Sequence, residues 1–99
     1  MRVRVPSASL RFTRQGAHAI NESPKRADAV IKQAAEAGIT VKDIYWTTGV
    51  HDGMLIVDAP DDKTVAAFLL SLVKQGNVRT TMQRAFDRRE FEEIAAKIH

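Results

Sequence analysis

Two adjacent residues, His51 and Asp52, have the side chains in this sequence that best fit acid–base chemistry. An imidazole titrates near neutral pH, and a carboxylate can serve as a general base or orient one. Both residues lie in the glycine-bounded turn segment 49–53. Adjacent side chains of an extended chain point to opposite faces, so the pair converges only if the turn brings it together. Two interpretations stay open, a structural role in the turn and contact with a ligand beside the sheet.

Two arginines near the C-terminal end, Arg79 and Arg84, are candidate ligand-binding residues. They lie at opposite parity on the last predicted strand, so they face different sides of the sheet. An arginine that points inward needs a carboxylate partner or an anionic ligand. Asp52 and Asp58 are the candidate partners, and the alternative of a bound anion stays open.

Two aromatic residues, Tyr45 and Trp46, are also candidate ligand-binding residues. They alternate along a predicted strand and therefore face opposite sides of it. Core packing is the default role for both. Either could instead line a pocket, where an aromatic ring offers apolar area and a polar tip.

Metal and cofactor sites are not expected. The chain has no cysteine, and its three histidines, His18, His51 and His99, have no chelating spacing. The glycines of segment 49–53 match neither the phosphate-binding loop nor the dinucleotide fingerprint. We therefore predict no metal and no cofactor, although a histidine–carboxylate site assembled by the fold stays open.

Composition indicates a small globular protein. The chain has 99 residues, 44% of them hydrophobic and 27% charged, with a net charge of +3. A single domain over residues 1–99 is the expected organisation. The charges are mixed, no apolar run approaches the roughly 20 residues that cross a bilayer, and the N-terminus lacks a signal-peptide core. We expect a cytoplasmic protein that binds neither membranes nor nucleic acid.

In the first half of the chain, apolar alternation predicts a strand over residues 7–13, with residues 2–5 as an edge extension or loose tail beyond Pro6. An irregular connection follows from Gln15. Ser23 as the cap and Pro24 at the first helical position predict a helix from Pro24 to Ala37, which Gly38 ends. β-Branched and aromatic residues over 41–48 predict a second strand.

In the second half, four successive apolar residues predict a buried strand over 54–59. The Pro60–Asp62 motif predicts the start of a second helix, which Gly76 ends, and a fourth strand follows over 78–86. Asp87 and Glu90 have the spacing of a capping box before a third helix.

The order β-α-β-β-α-β-α predicts an α+β fold of the ferredoxin-like split β-α-β type, βαββαβ plus a C-terminal helix, with a four-stranded antiparallel sheet and both main helices on one face. The third strand is apolar on both faces, so the uncovered face of the sheet carries a hydrophobic strip. A second copy packed sheet to sheet is the simplest cover for that strip, and higher assembly stays open. We therefore predict a homodimer through the sheet face.

Several short segments between residues 10 and 98 are distinctive in their order and spacing. They are Thr13-Arg14-Gln15-Gly16, Ser23-Pro24-Lys25-Arg26, Tyr45-Trp46-Thr47-Thr48-Gly49, Asp52, Ala59-Pro60-Asp61-Asp62, Gly76-Asn77-Val78-Arg79-Thr80-Thr81 and Arg84-Ala85-Phe86. Together they resemble the GYD-domain family of small bacterial and archaeal proteins. The resemblance implies a ferredoxin-like fold of the dimeric α/β-barrel type. His51 stands where the family signature usually has tyrosine before aspartate. The family carries no established activity to transfer.

Two functions follow as hypotheses. The first is a small homodimer that binds a small organic ligand or acts in regulation. The second is a cofactor-independent enzyme of the dimeric α/β-barrel type, an oxygenase or isomerase, with His51 or Asp52 as the base and Arg79 or Arg84 stabilising an anion. RNA binding of the RRM type is disfavoured, since the third strand has no aromatic residue for base stacking.

Overall fold

A computed structural model describes the backbone of residues 3–99 and the side chains of residues 8–99. The architecture is α+β, with four strands in one antiparallel sheet and four α-helices. The elements run in the order β1 (Val3–Phe12), α1 (Arg14–His18), a 3-10 turn (Ile20–Glu22), α2 (Ser23–Glu36), β2 (Thr40–Trp46), β3 (Gly53–Ala59), α3 (Asp62–Lys74), β4 (Val78–Gln83) and α4 (Arg88–Ala95).

The strands lie in the order β2-β3-β1-β4, and every neighbouring pair is antiparallel. The central strand β1 begins at Val3, so residues 3–5 extend the strand and are not a loose tail, and the pairing with β3 is interrupted at Pro6 as predicted. Val5 pairs with Val57 and Ala8 pairs with Leu55, with a register shift between the two pairs. This irregularity accommodates the proline, which has no N–H for a regular ladder. The predicted extension also included Arg2, which lies outside the described residues.

One face of the sheet packs against α2 and α3 and forms the core. Strand β3 shows why, since its residues alternate strictly between buried and half-buried. Leu55, Val57 and Ala59 point into the core with Val65 and Phe68 of α3. Met54 and Ile56 lie on the opposite face, which we call the open face, and are only half-buried.

The connection after β1 differs from the prediction of an irregular segment, because it contains α1 and a 3-10 turn. Thr13 caps α1, its hydroxyl oxygen accepting a hydrogen bond from Gly16 N–H at 3.1 Å. Helix α2 begins one residue earlier than predicted, and Ser23 does not cap it. The predicted ends at Gly38 and Gly76 are confirmed by their positive φ angles of 81° and 90°.

Helix α4 is specified locally but has little contact with the rest of its chain. The predicted capping box is confirmed, with Asp87 Oδ1 accepting from Glu90 N–H at 2.7 Å and Glu90 Oε1 accepting from Asp87 N–H at 3.1 Å. No element within residues 3–99 packs broadly against this helix. Phe91 on α4 is 55% exposed, and Ile98, three residues after the helix ends, is 69% exposed, so the apolar side of this C-terminal segment is uncovered. No helix in the described part of the chain is long and apolar enough to cross a membrane.

Candidate functional site

A cavity of about 110 Å³ lies between the sheet and helices α2 and α3, and it is partly open to solvent. Its walls are mainly apolar. They include the core-facing side chains Leu10, Phe12, Ala27, Val30, Ile44 and Leu55. An apolar cavity of about 150 Å³ is known to hold one benzene molecule. The cavity of this protein is smaller than that and is not closed.

Asp52 lines this cavity and connects the turn between β2 and β3 to the end of β1. Its Oδ2 accepts a hydrogen bond from Phe12 N–H at 2.8 Å, while its own N–H donates to Leu10 O at 2.7 Å. Its carbonyl accepts from Thr47 N–H at 2.9 Å. The carboxylate thus accepts a hydrogen bond that a backbone carbonyl of a neighbouring strand would otherwise accept. Asp52 therefore has the structural role in the turn that the sequence suggested, and it also lines the cavity.

Trp46 also lines the cavity, and its side chain joins β2 to α2. Its indole Nε1 donates to Ser23 Oγ at 2.9 Å, which explains why Ser23 is buried and does not cap its helix. Tyr45 and Trp46 both border the cavity and are 50% and 49% exposed. The default expectation of core packing for these two aromatics was therefore wrong.

The short helix α1 is held next to the cavity by hydrogen bonds with α2 and with the segment after α3. Arg26, a cavity residue, donates to Ala19 O at 2.8 Å and to Gly16 O at 3.4 Å. Thr13 Oγ1 donates to Gly76 O at 2.5 Å. Gln15 Nε2 donates to Asn77 Oδ1 at 3.0 Å, and Asn77 also lines the cavity. The guanidinium of Arg26 and the amide oxygen of Asn77 are thus used in holding this segment.

His51 lies on the other side of the sheet from the cavity. It lines a shallow depression with Ser9 and Met54, which are cross-strand partners on the open face. His51 and Asp52 therefore border separate spaces, as expected for neighbours on an extended chain. The fold does not bring the two candidate catalytic side chains together at one site.

The two candidate arginines lie away from the cavity. Arg79 is exposed on β4 and is the register partner of Arg11, so two cations face each other across the strands. Strand β4 ends at Gln83, earlier than predicted, and Arg84 follows it with its guanidinium 5.5 Å from the centre of the Phe86 ring. Neither arginine lines either described pocket.

The carboxylates considered as partners for Arg79 have other contacts. Asp58 lies 3.7 Å from the Lys42 ammonium, and Asp52 accepts from the backbone of Phe12. Within the described residues, no three histidine or acidic side chains form a group that could hold a metal ion.

Sequence reasoning missed Arg26 as a cavity residue and left Asn77 open between ligand contact and a strand entry. Arg26 lies one helical turn after Ser23, so its position beside the cavity follows once the face of α2 toward Trp46 is known. Asn77 directly follows the helix-ending Gly76, a position that sequence alone does not distinguish from an ordinary strand entry.

Comparison with known families confirms the resemblance predicted from the sequence. The family model described as GYD domain matches residues 8–95. The chain belongs to the GYD domain family. Searches of curated proteins and of solved structures found no significant match.

Proposed function

We propose that this protein binds a small organic ligand in the cavity between the sheet and α2. The observation that carries the proposal is the cavity itself, which is partly open to solvent, is apolar along most of its wall and has Trp46 and Asp52 in its lining. A folded chain of this size ordinarily closes its core, and pockets with apolar walls and a few polar groups are the usual form of ligand sites. Binding would remove apolar wall from water and give the ligand a defined orientation.

The experiment is a titration with phenol and benzene, two probes of one ring, followed by backbone amide shifts of Gly53 and Ala27 in NMR spectra. Ala27 is 8% exposed and lines the cavity, so Ala27→Leu fills the space. The matched control is Ala35→Leu, an exposed position on the same helix. We expect saturable shifts in the wild type and the control, and none in Ala27→Leu. Absence of saturable shifts in the wild type would overturn the proposal.

We further propose that the protein is a homodimer with a ferredoxin-like arrangement of the dimeric α/β-barrel type. The strand order β2-β3-β1-β4 with antiparallel pairing supports the ferredoxin-like arrangement. The open face supports the dimer, since Met54 and Ile56 are only half-buried on it. A second copy packed on this face would cover them, and the uncovered apolar side of α4 offers additional contact area.

A further inference from the structure

The two carboxylate oxygens of Asp52 have different surroundings. Oδ2 accepts the hydrogen bond from Phe12 N–H, whereas Oδ1 has no hydrogen-bond partner among the side chains and backbone of the described residues. No buried side-chain oxygen or nitrogen in that part of the chain is left without a partner, so Oδ1 retains access to solvent. Asp52 is one of the residues that line the cavity, whose walls are mainly apolar.

We propose that the cavity selects single-ring organic molecules that carry a hydrogen-bond donor, a hydroxyl or an amino group, and that Asp52 Oδ1 accepts from this donor. The inference rests on the proposed ligand-binding function and names the ligand class for that site. Hydrogen bonds to an ionised acceptor are roughly twice as strong as neutral ones. A ligand without a donor would displace water from this oxygen and leave it unpaired, which costs binding free energy.

The other polar groups of the cavity narrow the proposed class of ligands further. Arg26 donates to the carbonyls of Ala19 and Gly16, and the Trp46 indole donates to Ser23. The cavity lining therefore carries one carboxylate, Asp52, and one guanidinium, Arg26, which keeps its positive charge while it donates to the two carbonyls. An anionic ligand such as benzoate would place its charge beside Asp52 where phenol would place its donor, so we expect benzoate to bind more weakly than phenol.

The test compares four probes of one ring: phenol, aniline, fluorobenzene and benzoate. Fluorobenzene matches phenol in shape but has no donor. Dissociation constants come from the amide shift titration of the wild type. We expect phenol and aniline to bind at least about tenfold more tightly than fluorobenzene, as expected for one hydrogen bond to a charged acceptor. Benzoate should bind most weakly.

The matched variant is Asp52→Asn. Its amide oxygen can still accept from Phe12 N–H, while its NH₂ group replaces Oδ1 and turns the acceptor into a donor. We expect the preference for phenol over fluorobenzene to fall below about threefold and benzoate to gain affinity, with the Phe12 amide shift retained. A mere structural role for Asp52 would leave the ranking of the four probes unchanged.

The outcomes separate the two proposals. If fluorobenzene binds the wild type as tightly as phenol and Ala27→Leu abolishes both, the cavity binds ligands but the donor preference is overturned. If no probe binds the wild type, the ligand-binding function fails and this inference fails with it. If Asp52→Asn does not fold, the ratio of phenol to fluorobenzene affinity in the wild type still decides, and a ratio near one overturns the inference.

Discussion

The indole Nε1 of Trp46 donates a hydrogen bond to the hydroxyl oxygen of Ser23 at 2.9 Å, joining the end of β2 to the first turn of α2. These residues are 23 positions apart in the sequence and both border the cavity. The contact therefore ties the sheet to α2 beside the cavity.

Removing this hydrogen bond should lower the stability of the protein. Ser23→Ala leaves the indole N–H to water, and we expect a loss of about 1 kcal/mol in the free energy of unfolding, measured by urea denaturation followed by circular dichroism. Ser71→Ala is the control, because the exposed Ser71 hydroxyl bonds only the Ala67 carbonyl of its own helix. Equal losses in the two variants would contradict the role given to the Trp46 contact.

Gly16 should tolerate no side chain. A Cβ at this position would lie 2.0 Å from the carbonyl oxygen of Asn77 and 2.9 Å from its carbon, both backbone atoms. Gly16→Ala must therefore push α1 away from the segment after α3, and we expect a loss of about 1–3 kcal/mol in the free energy of unfolding. Ala17→Ser, at the next and exposed position, should change it by less than about 0.5 kcal/mol. A neutral Gly16→Ala would mean that α1 is not held where the structure places it.

The cap of α3 should make stability depend on pH in the acidic range. The backbone N–H and then the side chain of Thr64, by hydrogen bonding to the Asp61 carboxylate, lower the pKa of Asp61 from its ordinary value of 3.8. A group whose pKa is lowered by folding stabilises the folded state above its unfolded pKa, and this stabilisation is lost as pH falls through the folded pKa. Asp61→Ala should therefore lower the Tm at pH 7, and the difference should shrink below pH 3.8.

Asp61→Asn provides the control for this prediction. Asparagine caps helices about as well as aspartate but does not titrate in this range. Its Tm should stay near that of the wild type at pH 7. A Tm difference for Asp61→Ala that grows on acidification would contradict the assigned direction of the pKa shift.

The proposed dimer predicts that a charge on the open face separates the protomers without unfolding them. Ile56 is half-buried and points away from the core, so Ile56→Lys should leave the circular dichroism spectrum unchanged. Light scattering after size exclusion should show a dimer for the wild type and the 11.0 kDa monomer for the variant. Leu70→Lys, at a 66% exposed position on α3, should remain a dimer. A monomeric wild type at micromolar concentration would contradict the dimer.

Local signals in the sequence predicted where α2 and α3 end and where α3 and α4 begin. The helix-ending glycines Gly38 and Gly76, the aspartate cap within the Pro60–Asp62 motif and the cap Asp87 act within one turn of the chain, so their residue types suffice. The sequence left two alternatives open for residues 2–5, an edge extension and a loose tail, because whether a strand continues past a proline depends on the register shift that the neighbouring strand permits. That information lies in β3 and not near Pro6.

The candidate site was predicted less completely, because it too depends on contacts between elements that are distant in the sequence. Alternation along the chain indicated that His51 and Asp52 face opposite ways, and the structure places them beside separate spaces. The contact of Trp46 with Ser23 and the place of Arg26 in the cavity depend on how α2 lies on the sheet. Such packing is a tertiary property, which residue type and spacing within one element do not determine.

The most direct test of the account is a crystal structure of the protein soaked with phenol. We expect electron density for the ring between the sheet and α2, with the phenol oxygen within hydrogen-bond distance of Asp52 Oδ1. The hydrogen bond from Phe12 N–H to Asp52 Oδ2 should be retained. An empty cavity at phenol concentrations that saturate the amide shifts, or a ring bound in the depression beside His51, would contradict the account.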